Sequence, residues 1–303
     1  MAQPDQLAAE AEHAEKLGFH ALEFSDHILI PESINSSYPY PITGDHSGGP
    51  NQWDSWNEML ITLTFLAAKT KKIRVITSIM VLAYRNPLLA AKMLATMDVL
   101  SKGRLVVGVG AGWMREEFDS LRTPPFQERG FISDEYILMF KELWTSDKPT
   151  YQGKYFSFSG IKFLPKPVQT PHPPIWVGGE SPGAMKRAAS LGDAWYPMPW
   201  NPKYPLRNLD QLRQAIDRLT NLIEKAGRRP QEVQICYVAQ LWRDVKKYSD
   251  ELFVGDSDKI VSDIRACEKL GISYISFDLQ GENPKTTMTN LDRFAREVLT
   301  KTT

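Results

Sequence analysis

The chain of 303 residues carries 36 lysine and arginine side chains and 36 aspartate and glutamate side chains, so its formal net charge is zero. A chain without net charge has no long-range field to attract nucleic acid or an anionic membrane surface. Hydrophobic residues make up 42% of the sequence, no apolar run is long enough to cross a bilayer, and no signal-peptide core stands at the N-terminus. We therefore expect a globular, cytoplasmic protein that binds neither nucleic acid nor membrane.

The first part of the chain predicts a helix, a strand and a long loop. Apolar residues from Leu7 to Leu17 recur at helical spacing, and Gly18 ends the helix. Residues 19–25 follow as a predicted strand, which ends in Asp26-His27. Residues 31–54 are polar and rich in proline, glycine, serine and tyrosine. This segment is too long for a simple connection and indicates either an active-site lid or a disordered insert.

The middle of the chain predicts a strand–helix–strand unit. Residues 73–79 and 104–109 are short apolar runs, and apolar residues recur at helical spacing over 88–99. Such a unit requires a parallel sheet with helices outside it. Because chemistry in these folds collects where the strands end, residues 78–81 and 110–116 are the first places to look for a site.

The second half predicts more elements of the same kind. We expect helices over 128–144, 209–226 and 291–299, strands over 175–177, 194–196, 233–241 and 273–279, and a hairpin turn at Gln152-Gly153. The segments Glu15-Lys-Leu-Gly and Glu268-Lys-Leu-Gly, and more weakly Ala189-Ser-Leu-Gly, each join a helix end to a strand, which is the repeat that a closed βα barrel needs. The two cysteines, Cys236 in a predicted strand and Cys267 in a predicted helix, do not form a disulfide framework.

Long motifs in the chain resemble one protein family. The run from residue 77 to residue 118, TSIMVLAYRNPLLAAKMLATMDVLSKGRLVVGVGAGWMREEF, is similar to the luciferase-like oxidoreductases. Asp26-His27, Lys166-Pro-Val-Gln and Pro173-Pro-Ile-Trp-Val-Gly-Gly-Glu-Ser continue the likeness, which covers about residues 5 to 200. The subgroup that the chain resembles most is that of probable coenzyme F420-dependent oxidoreductases. The resemblance implies a (β/α)8 TIM barrel that uses reduced flavin (FMN) or the deazaflavin coenzyme F420.

The resemblance also implies a domain organisation. Residues 1–303 would form a single luciferase-like barrel, with an insertion at about 118–170 after the fourth strand of the family. Only seven strands are predicted, one fewer than the eight of the barrel. Members of the family open with a strand before the first helix, and here only Met1-Ala-Gln stands before that helix. We therefore expect that the native protein has an additional N-terminal strand; a native seven-stranded barrel is the alternative.

Candidate site residues follow from strand ends and from the resemblance. In F420-dependent relatives, the residue that matches Asp26 contacts the cofactor, and the one that matches His27 lies beside its reactive face, where it could pass a proton. Glu116 is the alternative proton donor. The resemblance further implies a non-prolyl cis peptide at Ser78-Ile79, behind the ring of the cofactor. The cofactor-binding residues expected from these strand ends are Asp26, Ser78, Ile79, Met80, Gly110, Ala111 and Gly112.

Three further groups of residues complete the predicted site. Gly108-Val-Gly-Ala-Gly-Trp is weak as a dinucleotide fingerprint, because its spacing is GxGxG and no acidic residue follows at the right distance; its glycines favour close approach of the backbone to a planar ring. Gly178, Gly179, Glu180 and Ser181 lie between a strand and a helix, where free N–H groups bind the cofactor phosphate. The substrate pocket is predicted from Trp113, Trp53 and Trp195, with further aromatic residues at Tyr38, Tyr40, Trp56 and Trp200. The histidines lack ligand-like spacing, so no metal site is expected.

Three functions are compatible with these observations. The first is hydride transfer between coenzyme F420 and a small organic substrate, and the second is a reduced-FMN-dependent monooxygenase of the alkanesulfonate type. The third is a ligand-binding barrel without catalysis, against which the retained Asp26-His27 and glycine-rich loops argue. Trp113 stands where sugar-phosphate dehydrogenases of the family have a glutamate, which favours a more apolar substrate. A homodimer is one possible assembly, and a flavin reductase would be a partner if FMN is the cofactor.

Overall fold

A computed structural model describes residues 3–40, 56–239 and 250–302. The chain folds into two compact units, one formed by residues 21–178 and the other by residues 2–20 together with 179–303. Within the described ranges, no helix is both long and apolar enough to cross a membrane.

The elements alternate between strands and helices along the chain. The helices are α1 (Pro4–Leu17), α2 (Met59–Lys69), α3 (Pro87–Ser101), α4 (Arg115–Ser120), α5 (Arg129–Thr145), α6 (Pro182–Leu191), α7 (Leu209–Lys225), α8 (Ser257–Lys269), α9 (Pro284–Phe294) and α10 (Thr300–Thr302). The strands are β1 (Ala21–Phe24), β2 (Arg74–Thr77), β3 (Met80–Val81), β4 (Leu105–Gly110), β5 (Tyr151–Gln152), β6 (Ser157–Phe158), β7 (Ile175–Gly178), β8 (Ala194–Tyr196), β9 (Gln234–Ala239) and β10 (Ile272–Phe277).

The first unit is built around parallel strands. Strand β1 pairs with β2, β2 with β4, and β4 with β7, all parallel, while the short β3 also pairs with β4. Every residue of β4 is buried, as expected for a continuous apolar strand covered on both faces. The register places Phe24 opposite Thr77, so the segments that follow β1 and β2 leave the sheet side by side.

The second unit repeats this arrangement. Strand β9 lies between β8 and β10, and both pairings are parallel. Cys236 in β9 and Cys267 in α8 are buried thiols that do not form a disulfide.

Helix ends follow the local rules that the sequence signals. Asn86 caps α3 by accepting hydrogen bonds from the N–H groups of Leu88 and Leu89 at 3.0 and 3.3 Å. Gly18 and Gly271 end their helices with φ angles of 89° and 85°, which a side chain would strain. The two strong Glu-Lys-Leu-Gly segments therefore share one helix-end geometry. Gly192 in the weaker copy differs, because its φ of −85° is extended backbone.

The predicted strands and helices are confirmed, with three corrections. All seven predicted strands are present, although positions 240 and 241 of the sixth lie outside the described residues. The short strand β3 was not predicted. The terminal helix begins at Pro284 rather than at 291, and a π-helix over Ala295–Leu299 continues it.

Gly108 of β4 packs so closely against β2 that its position has no space for a side chain. A Cβ atom there would lie 2.1 Å from the backbone oxygen of Thr77 in β2. We expect Gly108→Ala to lower the free energy of unfolding by about 3 kcal/mol, because the clash is with backbone. At Gly183 in α6, where a Cβ would meet nothing within 4 Å, alanine should leave stability unchanged or raise it by up to about 1 kcal/mol. Urea denaturation of both variants measures this contrast, and equal stabilities would contradict the packing argument.

Candidate functional site

The carboxylate of Asp26, directly after β1, is held within the first unit. Its Oδ2 accepts hydrogen bonds from the Val81 N–H at 3.0 Å and from Nη1 of Arg85 at 2.8 Å, and its Oδ1 accepts from Nη2 of Arg85 at 2.9 Å. Burial raises the pKa of Asp26, and the Arg85 guanidinium opposes this shift. The sequence predicted a cofactor contact for Asp26. The structure shows that Arg85 and the backbone of β3 already use both oxygens.

Arg85 connects Asp26 to two other elements. Its Nη2 also donates to Glu58, which precedes α2, and its backbone oxygen accepts a hydrogen bond from the Tyr136 hydroxyl of α5 at 2.7 Å. Burial acts to lower the pKa of Arg85, but the hydrogen bonds and charges of Asp26 and Glu58 raise it above its ordinary value. Arg85 is therefore a permanent cation placed between two carboxyl groups.

The imidazole of His27 lies between a carboxyl group and an aromatic ring. Its Nδ1 is 2.7 Å from Oε2 of Glu117, and only 10% of its side chain is exposed. The indole of Trp56 meets the imidazole edge to face, with ring centroids 5.1 Å apart. The Trp56 Nε1–H group in turn donates to the Ser25 oxygen at 3.2 Å. These contacts fix the plane of the His27 ring.

Glu117 is the main site residue that the sequence did not predict. Its side chain is fully buried, and its Oε1 accepts from the N–H groups of Ile28 and Leu29 at 2.7 and 3.3 Å. Burial, together with the charge and hydrogen bond of Glu117, raises the pKa of Tyr84 far above its usual value. The sequence did hold one signal, because Glu117 shares its helix face with the buried Met114 and Phe118.

Glu116, the neighbour of Glu117, binds a different part of the same loop. Its Oε1 accepts from the N–H groups of Asn35 and Ser36 at 2.8 and 2.9 Å. Burial acts to raise the pKa of Glu116, but hydrogen bonds from Ser36 and Asn35 outweigh it and lower the pKa to about 2. A carboxyl group that stays ionised is a poor proton donor, so this geometry weighs against the prediction of Glu116 as the alternative acid.

Some of the aromatic residues predicted for the substrate pocket contact one another in the first unit. The Tyr38 ring packs edge to face on Trp113 with centroids 5.1 Å apart, and on Tyr40 at 5.6 Å. Trp53 lies outside the described residues. Trp195 belongs to the second unit, where it is fully buried and its Nε1–H group donates to the Gly179 oxygen at 2.8 Å. Trp195 is thus a core residue of that unit, and its place in a substrate pocket stays a prediction.

The peptide bond between Ser78 and Ile79 is cis, as the family resemblance implied. The side chain of Ile79 fills the space beside two strand glycines. A Cβ at Gly110 or Gly178 would lie 2.3 or 2.6 Å from the Cδ1 atom of Ile79. These glycines therefore make room for Ile79, and the approach of a planar ring to Gly110 stays a prediction.

Two neighbours of these residues were also expected to bind the cofactor. Met80 is completely buried, and a Cβ at Gly112 would meet Val81 at 2.7 Å. Ala111 is half-buried between Gly110 and Gly112. Met80 is therefore a core side chain, and Gly112 is a glycine for the same steric reason as Gly110.

In the second unit, the predicted phosphate loop is largely satisfied by the protein itself. The Gly179 N–H group donates to the Tyr196 oxygen at 3.2 Å, and the Ser181 hydroxyl caps α6 by accepting from the Ala184 N–H group at 3.3 Å. Glu180 is 3% exposed and accepts from Nδ2 of Asn201 at 2.5 Å. Its Oε2 is buried and has no hydrogen-bond partner among the described residues. The expectation of free N–H groups is corrected at Gly179.

Burial raises the pKa of Glu180 from 4.5 to about 7, although Asn201 and the Met198 N–H group oppose the shift. Because the folded-state pKa is raised, the contribution of Glu180 to the free energy of unfolding is fully present below pH 4.5 and is lost as the pH rises through 7. A glutamine at this position does not ionise, so Glu180→Gln does not show this loss. We expect the stability advantage of the variant to grow by up to about 3 kcal/mol between pH 4.5 and pH 8. Urea denaturation at several pH values measures it, with Glu224→Gln on the exposed face of α7 as control. A pH-independent difference would contradict the assignment.

Comparison with known proteins identifies the family. The profile of the luciferase-like monooxygenase family matches residues 1–242. An uncharacterized protein of Mycobacterium tuberculosis is 32% identical over 248 residues, which is 81% of each chain. The FMNH2-dependent dimethylsulfone monooxygenase of Pseudomonas putida is 37% identical over 47% of this chain and 39% of its own. The F420-dependent glucose-6-phosphate dehydrogenase of Amycolatopsis mediterranei is 31% identical over 63% of this chain and 53% of its own.

Solved structures show the same fold. A monooxygenase from Streptomyces bottropensis superimposes with a TM-score of 0.75 at 21% identity and covers 98% of this chain and 93% of its own. The coenzyme F420-dependent tetrahydromethanopterin reductase from Methanopyrus kandleri has a TM-score of 0.76 at 17% identity and covers 100% and 96%. These structures confirm the predicted fold class, the luciferase-like TIM barrel. With its profile match spanning most of the sequence, the chain belongs to the luciferase-like monooxygenase family.

Proposed function

We propose that the chain is an oxidoreductase that transfers a hydride between coenzyme F420 and a small organic substrate, with His27 as the group that exchanges a proton with the substrate. The observation that carries this proposal is the buried contact of His27 with Glu117 at the end of β1. In a parallel α/β fold, such a strand end is where catalytic side chains collect. The F420-dependent enzymes among the relatives and solved structures support the cofactor.

The residues of the first unit fit a planar heteroaromatic cofactor. His27 with Trp56, and Trp113 with Tyr38, provide aromatic surfaces with few charges of their own. When bound, a deazaflavin supplies or accepts the hydride. The protein's part is to orient the substrate, exclude water and move the proton. As a substrate oxygen gains that proton, an N–H bond of the imidazolium form of His27 breaks, and its electron pair stays on the ring as the lone pair of the neutral imidazole. In the reverse reaction the substrate hydroxyl returns its proton to that lone pair.

The aromatic contact of Trp113 with Tyr38 also bears on the substrate. A glutamate at position 113 would offer an acid to a polyhydroxylated substrate, whereas an indole offers apolar surface. We therefore infer an apolar alcohol or carbonyl compound rather than a sugar phosphate.

The second candidate function is a reduced-FMN-dependent monooxygenase. It is favoured by the 37% identity to the FMNH2-dependent dimethylsulfone monooxygenase and by the fold of the Streptomyces bottropensis monooxygenase. In this case a flavin reductase would supply the reduced cofactor.

The two candidates differ in their need for oxygen. We expect the purified protein to oxidise reduced F420 under anaerobic conditions in the presence of an apolar aldehyde or ketone, because hydride transfer needs no oxygen. A panel of carbonyl compounds, followed by the cofactor absorbance, measures this. Turnover that needs both FMNH2 and O2, with oxygen-18 appearing in the product, would instead establish the monooxygenase.

The role of His27 is tested by removing its imidazole. We expect His27→Ala to slow turnover by about 10²–10⁴ and to change cofactor affinity by less than about tenfold, because a lost acid or base affects the reaction more than binding. Steady-state kinetics and a fluorescence titration of the cofactor measure the two effects. His20→Ala, at an exposed histidine, is the matched control and should keep full turnover. Unchanged turnover in His27→Ala would make the imidazole a structural group.

A further inference from the structure

We propose that Glu117 is a positioning residue that holds His27 in the tautomer with its proton on Nδ1, which makes Nε2 the nitrogen that exchanges protons. This inference rests on the proposed function for the meaning of that exchange, but the tautomer itself is a property of the protein alone. It assigns a specific atom of His27 to the reaction and a specific task to a carboxyl group whose sequence pattern indicates burial but no function.

The hydrogen bonds of Glu117 determine the direction of its contact with His27. Oε1 accepts two backbone N–H groups, from Ile28 and Leu29. An ionised carboxylate has no proton to give and accepts only. Within 2.7 Å of Oε2, the Nδ1 atom of His27 must therefore be the donor.

Full burial of Glu117 makes this constraint strict. A buried carboxylate oxygen that loses a donor is costly, because no water replaces the lost hydrogen bond. The alternative tautomer would place a lone pair of Nδ1 against Oε2, so that two acceptors would face each other. The same constraint fixes the ring plane, which Trp56 supports from its other side.

The variant Glu117→Gln tests this with almost no change of shape. The two backbone N–H groups of Ile28 and Leu29 still need an acceptor, so the amide oxygen takes the place of Oε1. The amide NH2 group then occupies the place of Oε2 and donates to Nδ1. We therefore expect the variant to move the proton of His27 from Nδ1 to Nε2.

The readout is the nitrogen-15 NMR spectrum of the imidazole, recorded on the whole chain without cofactor at a pH where the ring is neutral. We expect the wild-type protein to show a protonated Nδ1 and Glu117→Gln to show a protonated Nε2. The signals are assigned by their loss in His27→Ala. The matched control is Glu116→Gln, whose carboxylate binds Asn35 and Ser36 rather than His27, and which should keep the wild-type tautomer.

Kinetics provide a second readout that a merely structural clamp would not give. We expect kcat of Glu117→Gln for oxidation of an alcohol to fall by about 10²–10⁴ while KM changes by less than about fivefold, because an Nε2 atom that already carries a proton has no lone pair to accept the proton of the substrate, and no binding contact is removed. A wild-type His27 protonated on Nε2, or a Glu117→Gln variant that keeps the proton on Nδ1, would overturn the inference. The wild-type spectrum decides it even if the variant fails to fold. Absence of any turnover with F420 or FMNH2 would refute the proposed function and leave the tautomer assignment standing.

Discussion

The first unit depends on two adjacent carboxylates of α4 that bind the backbone after β1. Glu117 holds the N–H groups of Ile28 and Leu29, and Glu116 holds those of Asn35 and Ser36. A carboxylate is tolerated in a protein interior only when donors surround it, and backbone N–H groups are donors whose position the chain itself fixes. One helix of six residues thereby orders a loop that has no regular structure of its own.

A second group of charged side chains, Arg85 with Asp26 and Glu58, connects the strands of this unit. Arg85 neutralises Asp26 and Glu58, and Asp26 in turn accepts the Val81 N–H group of β3. The ion pair thus ties β1 to the strand that follows the cis peptide. Ile79, at that peptide bond, then packs into the space left by the glycines of the neighbouring strands. Removing one partner from such a buried group leaves an uncompensated charge, which explains why the charged groups occur together.

The sequence predicted the elements well because each depends on local chemistry. A continuous apolar run such as β4 and a helix end such as Gly18 are determined by residues next to each other. The partners of the site residues depend instead on distant segments. Glu117 is 90 residues from His27, and although its helix face indicates that it is buried, nothing local shows that it binds His27. Arg85, the partner of Asp26, is 59 residues away from it, so this ion pair was not predicted either. Conformation was predictable where it is local, whereas the partners of the buried charged side chains were not.

The same constraint explains how one site could serve either a deazaflavin or a flavin. His27 is fixed by groups of the protein itself, namely Glu117, Trp56 and the backbone of residues 28 and 29. Its position therefore does not depend on which cofactor is bound. A proton-exchanging imidazole of fixed tautomer is useful to hydride transfer and to oxygen chemistry alike. In the proposed function, discrimination between substrates falls to other residues, and Trp113 with Tyr38 is the pair that we assign to it. In the proposed function, the substrate wall of Tyr38 and Trp113 and the proton-exchanging His27 both depend on α4, because Glu116 holds the loop that carries Tyr38 and Glu117 holds His27.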